Sequence, residues 1–387
     1  MEARAIPART NPAEMNIPLS SPDITESEIA AVTAVLRTSR LSLGPQMKAF
    51  EQAFATYIGS PHAIAVSSGT AGLHLCIRAL KITDNDEVIV PSFTFIAAAN
   101  VIRYERAAPV FVDIDAESLN MAPGSIERAI TPKTRAILVV HTFGRPADMD
   151  PILAIARKHN LAIIEDACEA IGAEYNGKKI GSFGDASVFG FYPNKQITTG
   201  EGGMVLARNP ELAKSIRALR NQGRYESDDW FQHTELGFNY RLSEINSALG
   251  LAQLNRIDEI LQQRERVAQL YQKHLATTDG LILPPLKAPH AAISWFVYVV
   301  RLAPTFAANA RDTIIAALTS AGIGCGRYFA PIHMQHCYKE WRHNHLPVTE
   351  AQACRTIALP FFNRMTEDQI EYVCDKLRAA LLQMQRS

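Results

Sequence analysis

Hydrophobic positions in the first half of the chain come in short blocks separated by polar, helix-patterned stretches. Residues 25–37, TESEIAAVTAVLR, open with Thr25 and carry Glu28 three positions on, which predicts a reciprocally capped helix start. Residues 43–59, LGPQMKAFEQAFATYIG, predict a second helix that stops at Gly59. Apolar runs then recur at 62–66, 87–90, 109–112, 135–140 and 161–164, with helical stretches between most of them. Runs at 186–191 and 203–207 follow after a shorter connection. Strands alternating with helices predict an α/β fold with a largely parallel sheet covered on both faces. In such sheets ligands collect beyond the carboxyl ends of the strands, which gives any chemistry in this half a common address.

The pattern changes after Tyr240. Residues 243–276 read as one long helical stretch, broken or kinked at a point the sequence does not locate. A proline-rich turn at 281–292 leads to a strand candidate at 294–302, a helix at 310–322, the loop RYFAPIHMQH at 327–336 and a last helix at 366–384. The expected organisation is a loose arm over 1–15, a large unit over 16–250 and a smaller α+β unit over 251–387.

Composition narrows the function classes. At 387 residues, 47% hydrophobic and 20% charged, the chain has the make-up of an ordinary soluble globular protein. Its 39 basic and 39 acidic residues are interspersed, and no basic stripe is interleaved with aromatics, so nucleic acid is not an expected partner. No apolar run approaches the roughly 18 residues that span a bilayer, and residues 1–16 lack the apolar core of a secretion signal. The six cysteines form no CxxC pair, which points to reduced thiols in the cytoplasm rather than disulfides or zinc. No metal is expected, although His333 and His336 stand close to Cys337.

Three stretches carry chemistry. In AIAVSSGTAGLHLCIRAL, residues 63–80, a strand runs through Ser67, Ser68, Gly69 and Thr70 into a helix whose apolar face includes Leu73, Cys76 and Leu80. Free N–H groups at such a helix start suit a phosphate, and equally suit a plain N-cap. In LAIIEDACEAIGA, residues 161–173, Glu165 and Asp166 follow four apolar residues at a strand end. One of them faces the ligand crevice as partner of a protonated heterocycle or a magnesium ion, or else Asp166 caps a helix. In FYPNKQITTGEGG, residues 191–203, Lys195 stands between a buried strand and a loop opened by Gly200, Gly202 and Gly203. A lysine amine in apolar surroundings can attack a carbonyl. Pyridoxal phosphate calls on all three, through its phosphate, its pyridine nitrogen and its aldehyde. Phe95, in VPSFTF beyond another strand, offers the flat contact its ring needs.

Together with FVDID, HTFGRPADMD, GDASVFGFYPNK, LGFNYRLSEINSALG and ALPFF, these motifs resemble the DegT/DnrJ/StrS sugar aminotransferases over nearly the whole chain. The resemblance implies the fold-type I arrangement of pyridoxal phosphate enzymes, with Lys195 as the Schiff-base lysine and Asp166 as partner of the pyridine nitrogen. It implies that Phe95 stacks on the ring and that Gly69, Thr70 and Ala71 meet the phosphate. Asn239 would reach the phosphate of a neighbouring subunit's cofactor, so the active sites of a homodimer would be shared. Arg241, Tyr328 and His333 are candidates for substrate contact.

Two positions depart from the family's pattern. Gly190 stands where many relatives have a phosphate-binding serine, which leaves the phosphate to Ser187, the loop amides or Asn239. Glu169 stands where many have glutamine, and its added carboxylate would tune the cofactor's protonation or touch the substrate. It is shared with relatives that make a 4-amino sugar of the perosamine type. The implied reaction moves an amino group from L-glutamate to a nucleotide-linked keto-sugar, a 4-keto-6-deoxy sugar in the first instance, for amino-sugar or polysaccharide synthesis. Amination at the third carbon and a regulator without turnover are the alternatives. A related dehydratase branch has histidine in place of Lys195, and a magnesium-dependent nucleotide enzyme would need a G-x-x-x-x-G-K-[ST] loop that is absent.

Overall fold

The computed structural model describes residues 15–307, 309–341 and 345–386. All but Met15 of the arm expected at 1–15 lies outside them. Helix α1 (Glu26–Leu36) carries the expected capping box: Thr25 accepts from the first turn, and Glu28 Oε2 accepts from Thr25 N at 2.7 Å. Helix α2 (Pro45–Ile58) starts on a proline and ends at Gly59, whose φ of 79° is the left-handed conformation that glycine adopts most cheaply.

The main sheet has seven strands: β1 (His62–Val66), β2 (Glu87–Pro91), β3 (Ala108–Val112), β4 (Thr134–Val140), β5 (Ala162–Asp166), β8 (Ala186–Gly190) and β9 (Gly203–Ala207). The short hairpin of β6 (Glu174–Tyr175) and β7 (Lys178–Lys179) lies between β5 and β8. Strand order is β1-β9-β8-β5-β4-β2-β3, and only β9 runs against the rest. Helices α3 (Gly69–Ala79), α4 (Ala97–Tyr104), α5 (Pro123–Ala129), α6 (Met149–His159) and α7 (Pro210–Arg220) connect or follow these strands. The pleat sends Phe189 and Phe191 to one face, against Phe50 and Phe54 of α2, and Val188 to the other, with Leu73 and Cys76 of α3. Both faces are therefore dry.

No helix follows β5; turns and the β6–β7 hairpin connect it to β8. The long helical stretch breaks at Asn255–Arg256 into α8 (Glu244–Leu254) and α9 (Ile257–Leu275). Beyond it, β10 (Leu281–Ile282), β12 (Tyr298–Leu302) and β13 (Thr356–Leu359) form a second sheet, while β11 (Ala291–Ala292) pairs with β6. Helices α10 (Ala310–Ser320), α11 (Pro347–Ala353) and α12 (Glu367–Arg386) complete the chain. The C-terminal core includes Tyr271, Tyr298 and Phe361, and also Ile17, whose N–H donates to Gly322 O at 2.8 Å. Residue 17 thus packs with the C-terminal elements, because a short apolar segment there finds its backbone partners at 322–324.

Candidate active site

A cavity of about 500 Å³, open to solvent, lies where β1, β2, β4, β5 and β8 end. Its walls include Ser68, Gly69 and Thr70 after β1, Thr94 and Phe95 after β2, and Asp166 at the end of β5. Lys195 enters beyond β8, and Phe296, Tyr328 and Phe329 close it from the C-terminal elements.

The turn from β1 into α3 forms one end. Ser68 is the N-cap and its Oγ accepts from Ala71 N at 3.0 Å. Among the described residues the amides of Gly69 and Thr70 have no acceptor, and both residues line the cavity. Two donors at the start of an 11-residue helix, with the dipole behind them, suit a phosphate. Backbone reaches the cavity here because side chains are missing. A Cβ on Gly69 would lie 2.8 Å from Cys168 Sγ, and one on Gly190 3.2 Å from the same sulfur. Cys168 thus fills the place where a side chain at 190 would stand.

The two carboxylates after β5 part company by strand alternation. Glu165 turns into the protein and is fully buried, accepting from Gly181 N at 2.9 Å, Phe183 N at 2.9 Å and Gly184 N at 2.7 Å. His141 joins them at 3.2 Å; its Nδ1 accepts from Ala147 N, so the ring proton sits on Nε2 and donates to Glu165. Burial would raise the Glu165 carboxyl, but these hydrogen bonds outweigh it and hold it below its ordinary value. Glu165 is an internal brace. Asp166 faces the cavity with one oxygen accepting from Cys168 N at 3.1 Å, and it caps no helix because none follows.

Lys195 Nζ lies 3.5 Å from Glu169 Oε1 and 3.9 Å from the centre of the Phe296 ring. Glu169 is anchored at its other oxygen by Phe143 N at 2.8 Å, and burial raises its carboxyl despite the opposing pull of Lys195. Phe296 was missed by the sequence reading because 294–302 looks like one strand. Pairing starts only at Tyr298, and the carbonyls of Trp295 and Phe296 go instead to the buried guanidinium of Arg264, at 2.6 and 2.7 Å. Phe329, Thr94 and Asn194 are further lining residues, lying within quoted stretches but given no role from the sequence.

The other expected residues divide. Phe95 is 62% exposed at the cavity, not core, and Tyr328 lines the opposite wall, stacked between Phe296 and Phe329. Ser187 does not reach the cavity: it shares the face of Glu165, and its Oγ donates to Gly181 O at 2.6 Å. Ala71 is also displaced from the anion end, since Ser68 has taken its amide. His333 is buried in the turn 332–334, its Nδ1 2.6 Å from Ser92 Oγ and its Nε2 3.3 Å from Glu350, and it does not line the cavity. Asn239 is exposed, Arg241 holds Asn221 Oδ1 at 3.0 Å, and neither lines this cavity.

The residues present fit pyridoxal phosphate. The free amides of Gly69 and Thr70 would suit its phosphate, Asp166 a cationic ring nitrogen and Lys195 an aldehyde, with Phe95 in the same cavity wall. Asn194, also in the wall, has a buried Oδ1 with no partner among the described residues, a polar atom that a ligand would satisfy. Comparisons with known proteins agree. The sequence profile of the DegT/DnrJ/EryC1/StrS aminotransferase family matches residues 22–378. A GDP-perosamine synthase of Caulobacter vibrioides is 42% identical over 372 residues, which cover 95% of this chain and 98% of that protein. DesV of S. venezuelae, solved with a ketimine intermediate, is 36% identical with a TM-score of 0.85, covering 92% of this chain and 94% of that one. The PLP-form of the sugar aminotransferase Spr1654 of Streptococcus pneumoniae superposes with a TM-score of 0.91 at 28% identity, covering 96% and 100%. The chain therefore belongs to the DegT/DnrJ/EryC1/StrS family and is a pyridoxal phosphate-dependent sugar aminotransferase.

Proposed function

We propose that this enzyme moves the amino group of L-glutamate to the keto carbon of a nucleotide-linked 4-keto-6-deoxy sugar, as a homodimer in the cytoplasm, for amino-sugar and polysaccharide synthesis. One observation carries the chemistry: Lys195, Asp166 and the free amides of Gly69 and Thr70 line a single cavity at the strand ends. Pyridoxal phosphate, when bound, supplies an electron sink beside the carbon that loses or gains the amine. Gly69 and Thr70 would take the phosphate charge, Asp166 would keep the ring nitrogen protonated, and Phe95 would pack against the ring. Lys195 would be the point of attachment and, with its amine free, the base that lifts and returns a proton at Nζ. Glu169 and the 42% identity to a GDP-perosamine synthase favour a GDP-linked acceptor with its keto group at the fourth carbon. Asn239 and Arg241, which lie outside their own cavity, serve that of the second copy in this reading.

The test is an absorption spectrum of the holoenzyme before and after L-glutamate. The expected result is a yellow band that bleaches with glutamate and returns with a GDP-linked 4-keto-6-deoxy sugar. A band that ignores glutamate would overturn the donor, and one that returns only with a 3-keto sugar would overturn the acceptor.

A further inference from the structure

Lys195 is held from two sides by groups that belong to different parts of the chain. Glu169 Oε1 is 3.5 Å from Nζ, and Nζ stands over the Phe296 ring face at 3.9 Å from its centre. The ring is placed by a set of clamps. Arg264, 3% exposed, takes the carbonyls of Trp295 and Phe296 and also Asn363 Oδ1 at 2.8 Å. Ser294 N donates to Gly144 O at 3.0 Å, and Ser294 Oγ accepts from Gln196 Nε2 at 3.1 Å, one residue from Lys195 itself. Gly144 sits at φ 81°, and a Cβ there would lie 1.6 Å from Ser294 O, so the approach of 294–296 to the large unit requires glycine. Tyr328 stacks parallel to Phe296 at 6.4 Å. This much fixation of a ring that makes no other polar contact demands a use.

We propose that Phe296 is a positioning residue for the catalytic amine: its ring face stabilises the Lys195 ammonium and parks Nζ between itself and Glu169 whenever the amine is free. The inference rests on the reading of Lys195 as the attachment residue. A cation over a ring within about 6 Å of its centre is attracted by the ring's quadrupole, and more so when desolvated. Lys195's side chain is 15% exposed, which places it toward the desolvated end. The other titratable groups around it are Asp166 and Cys168 at the end of β5, Glu201 from the glycine loop and Tyr328 from the C-terminal wall. Tyr328, stacked on Phe296, is a phenol that burial keeps protonated.

The experiment is capture of pyridoxal phosphate by the apoenzyme, followed by the rise of the visible band across a pH series. Capture needs the neutral amine, so removing the ring should move its pH midpoint down. Phe296→Leu should shift the midpoint by about 0.3–1 pH unit, a two- to tenfold faster capture below the midpoint. Phe296→Tyr keeps the ring face and should titrate as the wild type. A Phe296→Leu midpoint that coincides with the wild type would overturn the proposal, as would a Phe296→Tyr midpoint displaced as far as that of Phe296→Leu. Lys195→Ala is the separate control: it should form no such band, and a band of normal yield would overturn the Lys195 reading instead.

Discussion

On the sheet side of the cavity each functional group stands within a few residues of a strand end, whereas on the C-terminal side Phe296, Tyr328 and Phe329 arrive on segments without regular structure. The first wall is positioned by the ladder itself: β5 and β8 are in register from Ile164 to Asp166, so Asp166 and the loop after β8 face one space. The second wall is positioned by side chains reaching backbone, with Arg264 and Gln196 as the fasteners. A sheet edge offers the same address to any chain of this topology. The segments that close it over can be refitted to a new substrate without disturbing the sheet.

The largest effect should come from the sheet wall. Lys195→Ala would remove the proposed attachment point and proton carrier, and turnover should fall by at least about 10³-fold in a steady-state assay. Asp166→Ala should come next, with turnover down by about 10²-fold and weaker cofactor binding in a spectral titration, while the fold melts near the wild-type temperature. If Asp166→Ala unfolded the protein and Glu165→Ala spared it, the two roles would be exchanged.

Glu165→Ala leaves His141 and three amides unpaired in the core, and should cost about 3–5 kcal/mol in denaturant unfolding. The pH dependence has the opposite sign at the two glutamates. Glu165 is held below the ordinary 4.5, so its stabilisation is complete above that pH and is lost as pH falls through the lower folded value. Glu169 is raised above 4.5, so its ionisation costs the apoenzyme stability as pH climbs from 4.5 through the folded value. Melting curves across pH should show Glu165→Gln flattening the acid limb and Glu169→Gln flattening the loss on the rising side. The smallest effect belongs to Ser187→Ala, about 1 kcal/mol from the lost bond to Gly181 O, with unchanged affinity for pyridoxal phosphate.

What the sequence makes legible follows the same division. The strand runs of the main sheet read within a residue or two because strands buried on both faces leave continuous apolar runs, and the motifs at their ends inherit that address. Alternation separates Glu165 from Asp166 only once the exact end of β5 is known, which is why both roles stay open from the sequence. The misplacement of Ser187 has the same origin. His333 looks like a substrate contact because a loop histidine beside an aromatic carries no mark of the Ser92 and Glu350 partners waiting in space. Phe296 is invisible because an apolar run reads as strand, while the competing claim of Arg264 on its carbonyl is made from another helix.

The most direct test of the central claim is to reduce the holoenzyme with borohydride, digest it and locate the pyridoxyl group by peptide mass spectrometry. The account predicts a single modified residue, Lys195, in the peptide that follows β8. A pyridoxyl group on any other lysine would contradict it.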